Sequence, residues 1–273
     1  MEARLSSIFV YPVKSCRRVE TDTATVEPWG LAGDRRWLVT DPDGMLRTQR
    51  ELPRMALVRT AYGPDGRLLL SAPGQPDLTV VSPRRSEGAA SAEVSVWRFR
   101  GAAAWAGDEA DEWLSQALDV PSRLAHMDDT SVRAVNPDYG RSDDRVSFAD
   151  GYPLLLATSG SLDALNVAIT DMGGEAVPMT RFRPNVVIEG TKAWAEDDWK
   201  RVQIGGQRFR VVKPCDRCIM TTVDPERGVL AGQQPLRALR KHRRHEKLVL
   251  FGMNLIPDTV GPLTVGDRFT VLD

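Results

Sequence analysis

Two turn signals, Asp41-Pro42-Asp43-Gly44 and Gly63-Pro64-Asp65-Gly66, constrain the N-terminal part of this chain more than any other feature. Each places proline where φ near about −65° is wanted and glycine where φ turns positive, so each reads as the bend of a hairpin. The segments around them are short and rich in β-branched, aromatic or leucine side chains: Ile8-Phe9-Val10-Tyr11, Trp37-Leu38-Val39-Thr40, Leu57-Val58-Arg59-Thr60, Leu68-Leu69-Leu70 and Val94-Ser95-Val96-Trp97. Runs of that length and content are strands. The first part of the chain, from Leu5 to about Asp108, is therefore expected to be sheet.

A helix should follow, with Asp108 capping Glu109 to Leu118 and Trp113, Leu114, Ala117 and Leu118 on one face. Val120-Pro121 ends it. The polar stretch from Asp128 to Asp144, with Pro137 and Gly140, reads as a loop and as the best candidate for a hinge or cleft edge. Beyond it strand and helix alternate. Leu154-Leu155-Leu156-Ala157 is a buried strand, and Thr158-Ser159-Gly160-Ser161 caps a helix carrying Leu162, Leu165 and Ile169, whose open N-terminus is a candidate anion site. Later strands are Asn185-Val186-Val187-Ile188, Phe209-Arg210-Val211-Val212, Lys247-Leu248-Val249-Leu250 and Arg268-Phe269-Thr270-Val271. At 273 residues the chain exceeds the ~100 to 200 residues of one ordinary domain. The expectation is a β-rich α+β protein of two domains, residues 1–120 and 121–273, with the first strands able to pack on the second.

Acidic and basic residues nearly cancel, 37 against 36, which leaves no electrostatic footprint for nucleic acid or an anionic membrane. An anionic ligand would have to be met by locally placed cations. No apolar run approaches the ~20 residues of a membrane span, and the N-terminus has no apolar core behind a basic start. Cys16, Cys215 and Cys218 are too few and too uneven for a disulfide framework, which favours a reducing compartment. A cytoplasmic location is the expectation.

The most informative segment runs from Val211 through Lys213-Pro214-Cys215-Asp216-Arg217-Cys218 to Thr221-Thr222-Val223-Asp224-Pro225. A β-branched run feeds a proline-started loop with two thiols, and a second β-branched run leaves it. Four readings are open. A thioredoxin-like dithiol wants a helix after the cysteines, and Thr221-Thr222-Val223 before Asp224-Pro225 is a poor helix start. A zinc site would draw on His242 and His245, which lie in the basic run Arg240-Lys241-His242-Arg243-Arg244-His245, at a spacing unlike a common finger. Two small buried hydrophobes are the ordinary fate of free cysteines, against which charged Asp216 and Arg217 argue for a ligand-facing loop. The last reading is one thiolate ligand to a redox metal held mainly by another, sulfur-donating ligand.

The run Cys215-Asp216-Arg217-Cys218-Ile219-Met220-Thr221-Thr222-Val223-Asp224-Pro225 resembles the signature of the amidoxime-reducing component family, in which a MOSC domain follows a β-rich MOSC-associated domain. The resemblance extends over nearly the whole chain, through Tyr11-Pro12-Val13-Lys14-Ser15-Cys16, Asp34-Arg35-Arg36-Trp37-Leu38-Val39, Phe182-Arg183-Pro184-Asn185 and Val265-Gly266-Asp267. It implies that the second domain is a MOSC-like β-barrel with peripheral helices, and that the cofactor is molybdenum-molybdopterin, lying between the domains. Cys218 would be the metal's thiolate, with no role assigned to Cys215. Lys14, Ser15, Arg35, Arg183, Asn185 and Arg217 would hold the pterin and its phosphate, residue types suited to an anion and a polar ring edge. The implied reaction is two-electron reduction of amidoximes, hydroxylamines or N-hydroxylated bases by oxygen-atom transfer, with Asp150 and Asp224 as candidates for handling protons. A cofactor or sulfur carrier without turnover of its own is the rival.

The sequence departs from the family pattern in lacking the N-terminal targeting region of the animal relatives and a cysteine-rich tail for an iron–sulfur cluster, and in carrying Asp216 inside the cysteine motif. It also has no G-x-G-x-x-G nucleotide fingerprint. Electrons are thus expected from a separate reductase or an iron–sulfur or haem carrier protein. The basic run from Arg240 to Arg244 is either a docking face for it or a solvated helix.

Overall fold

A computed structural model describes residues 2–273, and among them there are three α-helices: α1 (Asp108–Leu118), α2 (Ser159–Asp171) and α3 (Leu236–His242). The largest sheet has nine strands. Its path runs from Val19–Thr21 through Arg4–Val10, Val186–Glu189, Leu154–Thr158, Leu248–Pro257, Gln207–Asp216 and Arg201–Ile204 to Phe269–Val271, with Arg244–His245 paired to the side of Leu248–Pro257. A bridge between Arg4 and Arg268, with Leu5 N–H donating to Asp267 O and Phe269 N–H to Ala3 O, both 2.9 Å, closes the path into a barrel. Its interior is filled by Leu5, Ile8, Leu156, Val186, Ile188, Val202, Ile204, Phe209, Leu255 and Phe269. Burial of each such side chain contributes about 1.5 to 3 kcal/mol, and a barrel of this size is a packed core with no channel.

Leu154–Thr158 and Val186–Glu189 are parallel, an arrangement that requires a crossover, and α2 supplies it. The helix packs Leu165 and Ile169 with Leu239, Phe182 and Phe251 in a second core layer. Its N-terminus is closed off from an anion: Thr158 Oγ1 accepts from Ser161 N–H at 3.2 Å, and the buried Glu196 carboxyl lies 3.2 Å from the same hydroxyl.

The remaining sheets are small. Trp37–Thr40, Arg123–His126, Phe99–Trp105 and Ser91–Val96 form an antiparallel sheet, and Arg59–Tyr62, Leu68–Ser71 and Leu78–Val80 a meander. Both proline-glycine turns close hairpin bends, with Gly63 N–H donating to Arg67 O and Asp41 N–H to Met45 O. α1 covers this region, burying Trp113, Leu114, Ala117 and Leu118 against Trp37, Val39 and Leu124.

Several local expectations are corrected. Asp108 is the first helical residue, not the cap: Gly107 stands at the cap position with φ 103°, and the Asp111 carboxylate is spent on Leu124 N–H and Trp105 Nε1. Leu57 ends a 3-10 turn over Pro53–Leu57, so that strand starts at Arg59. Pro214 begins no loop, because Gln207–Asp216 continues as a strand through it with two bulges. The basic run is the end of α3 followed by a short hairpin, with Arg243 paired to Asp197 at 2.6 Å. Hydrogen bonding also ties the chain up to Leu31 to the C-terminal part: Arg4–Val10 pairs with Val186–Glu189, and Thr23–Glu27 with Gly261–Thr264.

Candidate functional site

On the strand Leu154–Thr158, Leu156 points into the barrel core while its neighbour Leu155 lines a cleft on the outer face, as a period of two dictates. Asn254, beside core residue Leu255, does the same on the adjacent strand. The turns that follow or precede the barrel strands bring in the polar side chains. Lys14 and Ser15 lie just past Arg4–Val10, Arg181 and Arg183 come from the turn over Met179–Phe182, and Arg217 and Cys218 follow Gln207–Asp216. Arg35, Arg50, Asp150, Asn185, Cys215 and Asp216 also line it.

The backbone here is held in uncommon conformations. Of the seven non-glycine residues with positive φ among the described residues, Ser15 (66°), Arg35 (48°) and Arg183 (54°) line the cleft, and such outliers persist only where the surroundings enforce them. Arg133, itself buried, does part of that enforcing, since its guanidinium donates to the carbonyls of Ser147, Ala149 and Asp150 and fixes the loop that presents Asp150.

Six cations, Lys14, Arg35, Arg50, Arg181, Arg183 and Arg217, line the cleft against two carboxylates, Asp150 and Asp216. The excess is not absorbed internally. Arg183 gives Nη1 to Cys16 O at 2.9 Å but leaves Nη2 buried without a partner, Arg217 leaves Nε, and Arg181 leaves both Nε and Nη1. A buried donor left unsatisfied costs about 1 to 3 kcal/mol, more when charged. Burial pulls the Arg183 guanidinium down to about 10, which still leaves it charged at neutral pH.

Other groups are spent inside the protein. Asn185, 1% exposed, accepts from Leu155 N–H (3.1 Å) and Arg35 Nη1 (3.0 Å) and donates to Phe9 O (3.2 Å). It positions Arg35 and has little left to offer a ligand. Arg35 is anchored by Asp34 at 2.6 Å, and it and Arg183 each stack 4.2 Å from the Tyr11 ring.

Lys14, 6% exposed, donates to Asp150 Oδ1 at 2.5 Å. Burial pulls its ammonium down to about 8, with Asp150 working the other way. The Asp150 carboxylate is exposed at its outer side, and the desolvation imposed by its neighbours, which pushes it up, is outweighed by Lys14, Trp97 and Arg50, which hold it well below the usual carboxylate range. Asp150 is thus an ionised acceptor at working pH and no acid. The two thiols differ as well. Cys215 Sγ takes Arg217 Nη1 at 2.8 Å, whereas Cys218 Sγ faces the exposed Arg50 Nε at 3.3 Å.

The cleft thus brings together Lys14, Ser15, Arg35, Asp150, Arg183, Asn185, Arg217 and Cys218. It does not include Asp224, whose carboxylate instead accepts from the Glu226 and Arg227 N–H groups in a turn. The loop from Asp128 to Asp144 is not the edge either, since none of its residues lines the cleft. Among the described residues no three His, Cys, Asp or Glu side chains converge as a cage for a metal ion. Sequence reasoning passed over Arg50, Arg181 and Trp97; for Arg181, its place two residues before Arg183 in Arg181-Phe182-Arg183-Pro184 was the available signal.

The barrel thus carries on one face a cleft with a thiol among guanidinium groups that keep buried nitrogens without partners. The MOSC N-terminal beta barrel domain matches residues 2–121 and the MOSC domain residues 143–270. Mitochondrial amidoxime reducing component 2 of Bos taurus is 33% identical, covering 96% of this chain and 81% of that protein, and the Homo sapiens component 1 is 31% identical over 98% and 82%. Molybdenum cofactor sulfurase of Oryza sativa subsp. japonica is 30% identical over 93% of this chain, which spans 32% of that longer protein. The chain belongs to the MOSC family that contains the amidoxime-reducing components. No helix among the described residues is long and apolar enough to cross a membrane.

Proposed function

We propose that the chain is a molybdenum-cofactor-dependent reductase of N-hydroxylated compounds, amidoximes, hydroxylamines and N-hydroxylated bases, working in the cytoplasm with electrons from a separate protein. The observation that carries this reading is the convergence of Cys218 with the unpaired nitrogens of Arg181, Arg183 and Arg217 on one cleft. Those residues fit molybdopterin: its phosphate would give the orphaned guanidinium groups the charge-assisted partners they lack, and its metal would take the Cys218 thiolate. When bound, the cofactor supplies the two-electron, oxygen-accepting chemistry.

The chain's own residues do the rest. For an amidoxime the balance is two electrons and two protons in, amidine and water out. Lys14, whose ammonium titrates near about 8, is the group in the cleft suited to releasing a proton near neutral pH, and the ionised Asp150 holds it in place. Asp224 has no part in this step, because its carboxylate is engaged in a turn.

The experiment is a donor assay on protein loaded in a host that makes molybdopterin. Turnover of benzamidoxime or hydroxylaminopurine is expected with an artificial low-potential donor or with a flavin or iron–sulfur reductase, and none with NADH alone. Turnover with NADH alone would remove the partner; full molybdenum with no turnover from any donor would make the chain a carrier.

A further inference from the structure

Trp97 sits in the two-residue turn of the hairpin formed by Ser91–Val96 and Phe99–Trp105, where Phe99 pairs with Val96. Its φ is 55°, the left-handed region that glycine or asparagine occupies with less strain than a bulky aromatic. The residue is 42% exposed, so it gains only part of the burial that usually justifies a tryptophan. Neither choice favours stability. Its contacts are instead directed at the cleft: Nε1 donates to Asp150 Oδ1 at 3.1 Å, and the Arg50 guanidinium carbon lies 4.4 Å from the ring centroid. The same guanidinium turns Nε to Cys218 Sγ at 3.3 Å. The Arg50 guanidinium therefore touches both the indole and the sulfur, and both Arg50 and Trp97 are exposed.

We propose that Arg50 and Trp97 form a stacking platform beside Cys218 for flat, conjugated N-hydroxylated substrates, and that the pair sets the preference for aromatic over aliphatic ones. This rests on the proposed reductase function. A planar guanidinium and an indole both offer faces to a π system, and neither offers a hydrogen-bond pattern that would demand one particular ring. The Asp150 contact holds the ring in place, and Asp150 is in turn fixed by Lys14 and by Arg133 at its carbonyl. A compact aliphatic amidoxime presents only the small face of its own functional group, with no ring to stack. It should reach the sulfur without using the platform.

The test uses molybdenum-loaded protein without any electron donor, so that ligands bind and do not react. Affinities for benzamidoxime and acetamidoxime are measured by calorimetry for wild type, Trp97→Gly, Trp97→Asn and Trp97→Phe. Trp97→Gly should melt no lower than wild type, since glycine adopts φ 55° freely. It should weaken benzamidoxime about tenfold, the equivalent of one aromatic stacking contact, while acetamidoxime changes by less than about twofold. Trp97→Asn, which also tolerates the turn, should behave like Trp97→Gly, and Trp97→Phe should keep most of the preference. An unchanged ratio of the two affinities in Trp97→Gly and Trp97→Asn, whether both ligands weaken or neither does, overturns the platform. Failure of the loaded protein to turn over any N-hydroxylated compound with any donor sinks the reductase reading instead, and the affinity ratio still decides the platform.

Discussion

Two charged clusters in this molecule look alike in sequence and differ in what they leave undone. Around Arg210 every guanidinium nitrogen is used: Nη1 and Nη2 grip Asp144 at 3.0 and 2.6 Å, Nε meets Asp258 at 2.8 Å, and Arg141 joins Asp258 at 3.0 Å. In the cleft, Arg181, Arg183 and Arg217 keep buried nitrogens without partners. The first cluster is complete as it stands and holds the 144 loop to the barrel. The second leaves donors free, as the proposed anionic cofactor would need. Single buried nitrogens of Arg47 and Arg243 also lack partners elsewhere, so what sets the cleft apart is that three such arginines line one cavity, a distinction invisible until the side chains are placed.

The largest effect expected from that contrast is chemical. Cys218→Ser puts a hard hydroxyl where a soft thiolate is needed and should abolish turnover, while Cys215→Ala keeps a substantial share of it. Activity of both variants is the check, and equal losses would return the pair to a dithiol or zinc role.

Next in size is a stability difference. Arg210→Met removes the partner of two carboxylates that are 10% and 23% exposed, so it should cost about 3 kcal/mol, the lower end for breaking a buried pair. Arg183→Met removes a buried charge whose Nη2 has no partner, and should leave the cofactor-free protein as stable as wild type or more so. Urea unfolding of the two variants decides the matter; equal destabilisation would erase the comparison.

The smallest effect is a dependence on pH. Lys14 holds its proton to about 8 in the folded protein and to 10.5 ordinarily. Between those values the unfolded chain binds more protons, so raising the pH favours the folded state. From pH 8 to 9 the cofactor-free protein should gain up to about 1 kcal/mol relative to Lys14→Met, the scale of one pKa unit. Over the same interval the cleft loses a cation, and affinity for an anionic ligand should fall. A flat difference between the two proteins across this range would mean that Lys14 is not buried as a charge.

Much of the barrel was legible in advance because its strands are short β-branched runs between turn residues: Leu154-Leu155-Leu156-Ala157 and Phe209-Arg210-Val211-Val212 fall where strands are found. Thr158 caps α2 as its position suggests. The miss at Pro214 has a clear cause. Two bulges let the strand absorb a residue that lacks an N–H, so proline punctuates nothing there. Lys14, Arg35, Arg183, Arg217 and Cys218 came from motif resemblance, and geometry gathers them in one cleft. Arg50 and Trp97 carry no pattern, since what matters is a stack across two segments that only the folded chain brings together. Asn185 was legible as a site residue but not in its role, because its saturation by Phe9, Leu155 and Arg35 is a tertiary fact.

The central claim is that the orphaned arginines are there for the anionic part of a molybdenum cofactor. Metal analysis of wild type and of the triple variant Arg181→Ala, Arg183→Ala, Arg217→Ala, both made in a host that synthesises molybdopterin, tests it most directly. About one molybdenum per wild-type chain and far less in a variant that still unfolds cooperatively is the predicted result. Zinc or no metal in wild type, or full molybdenum in the variant, would contradict the account.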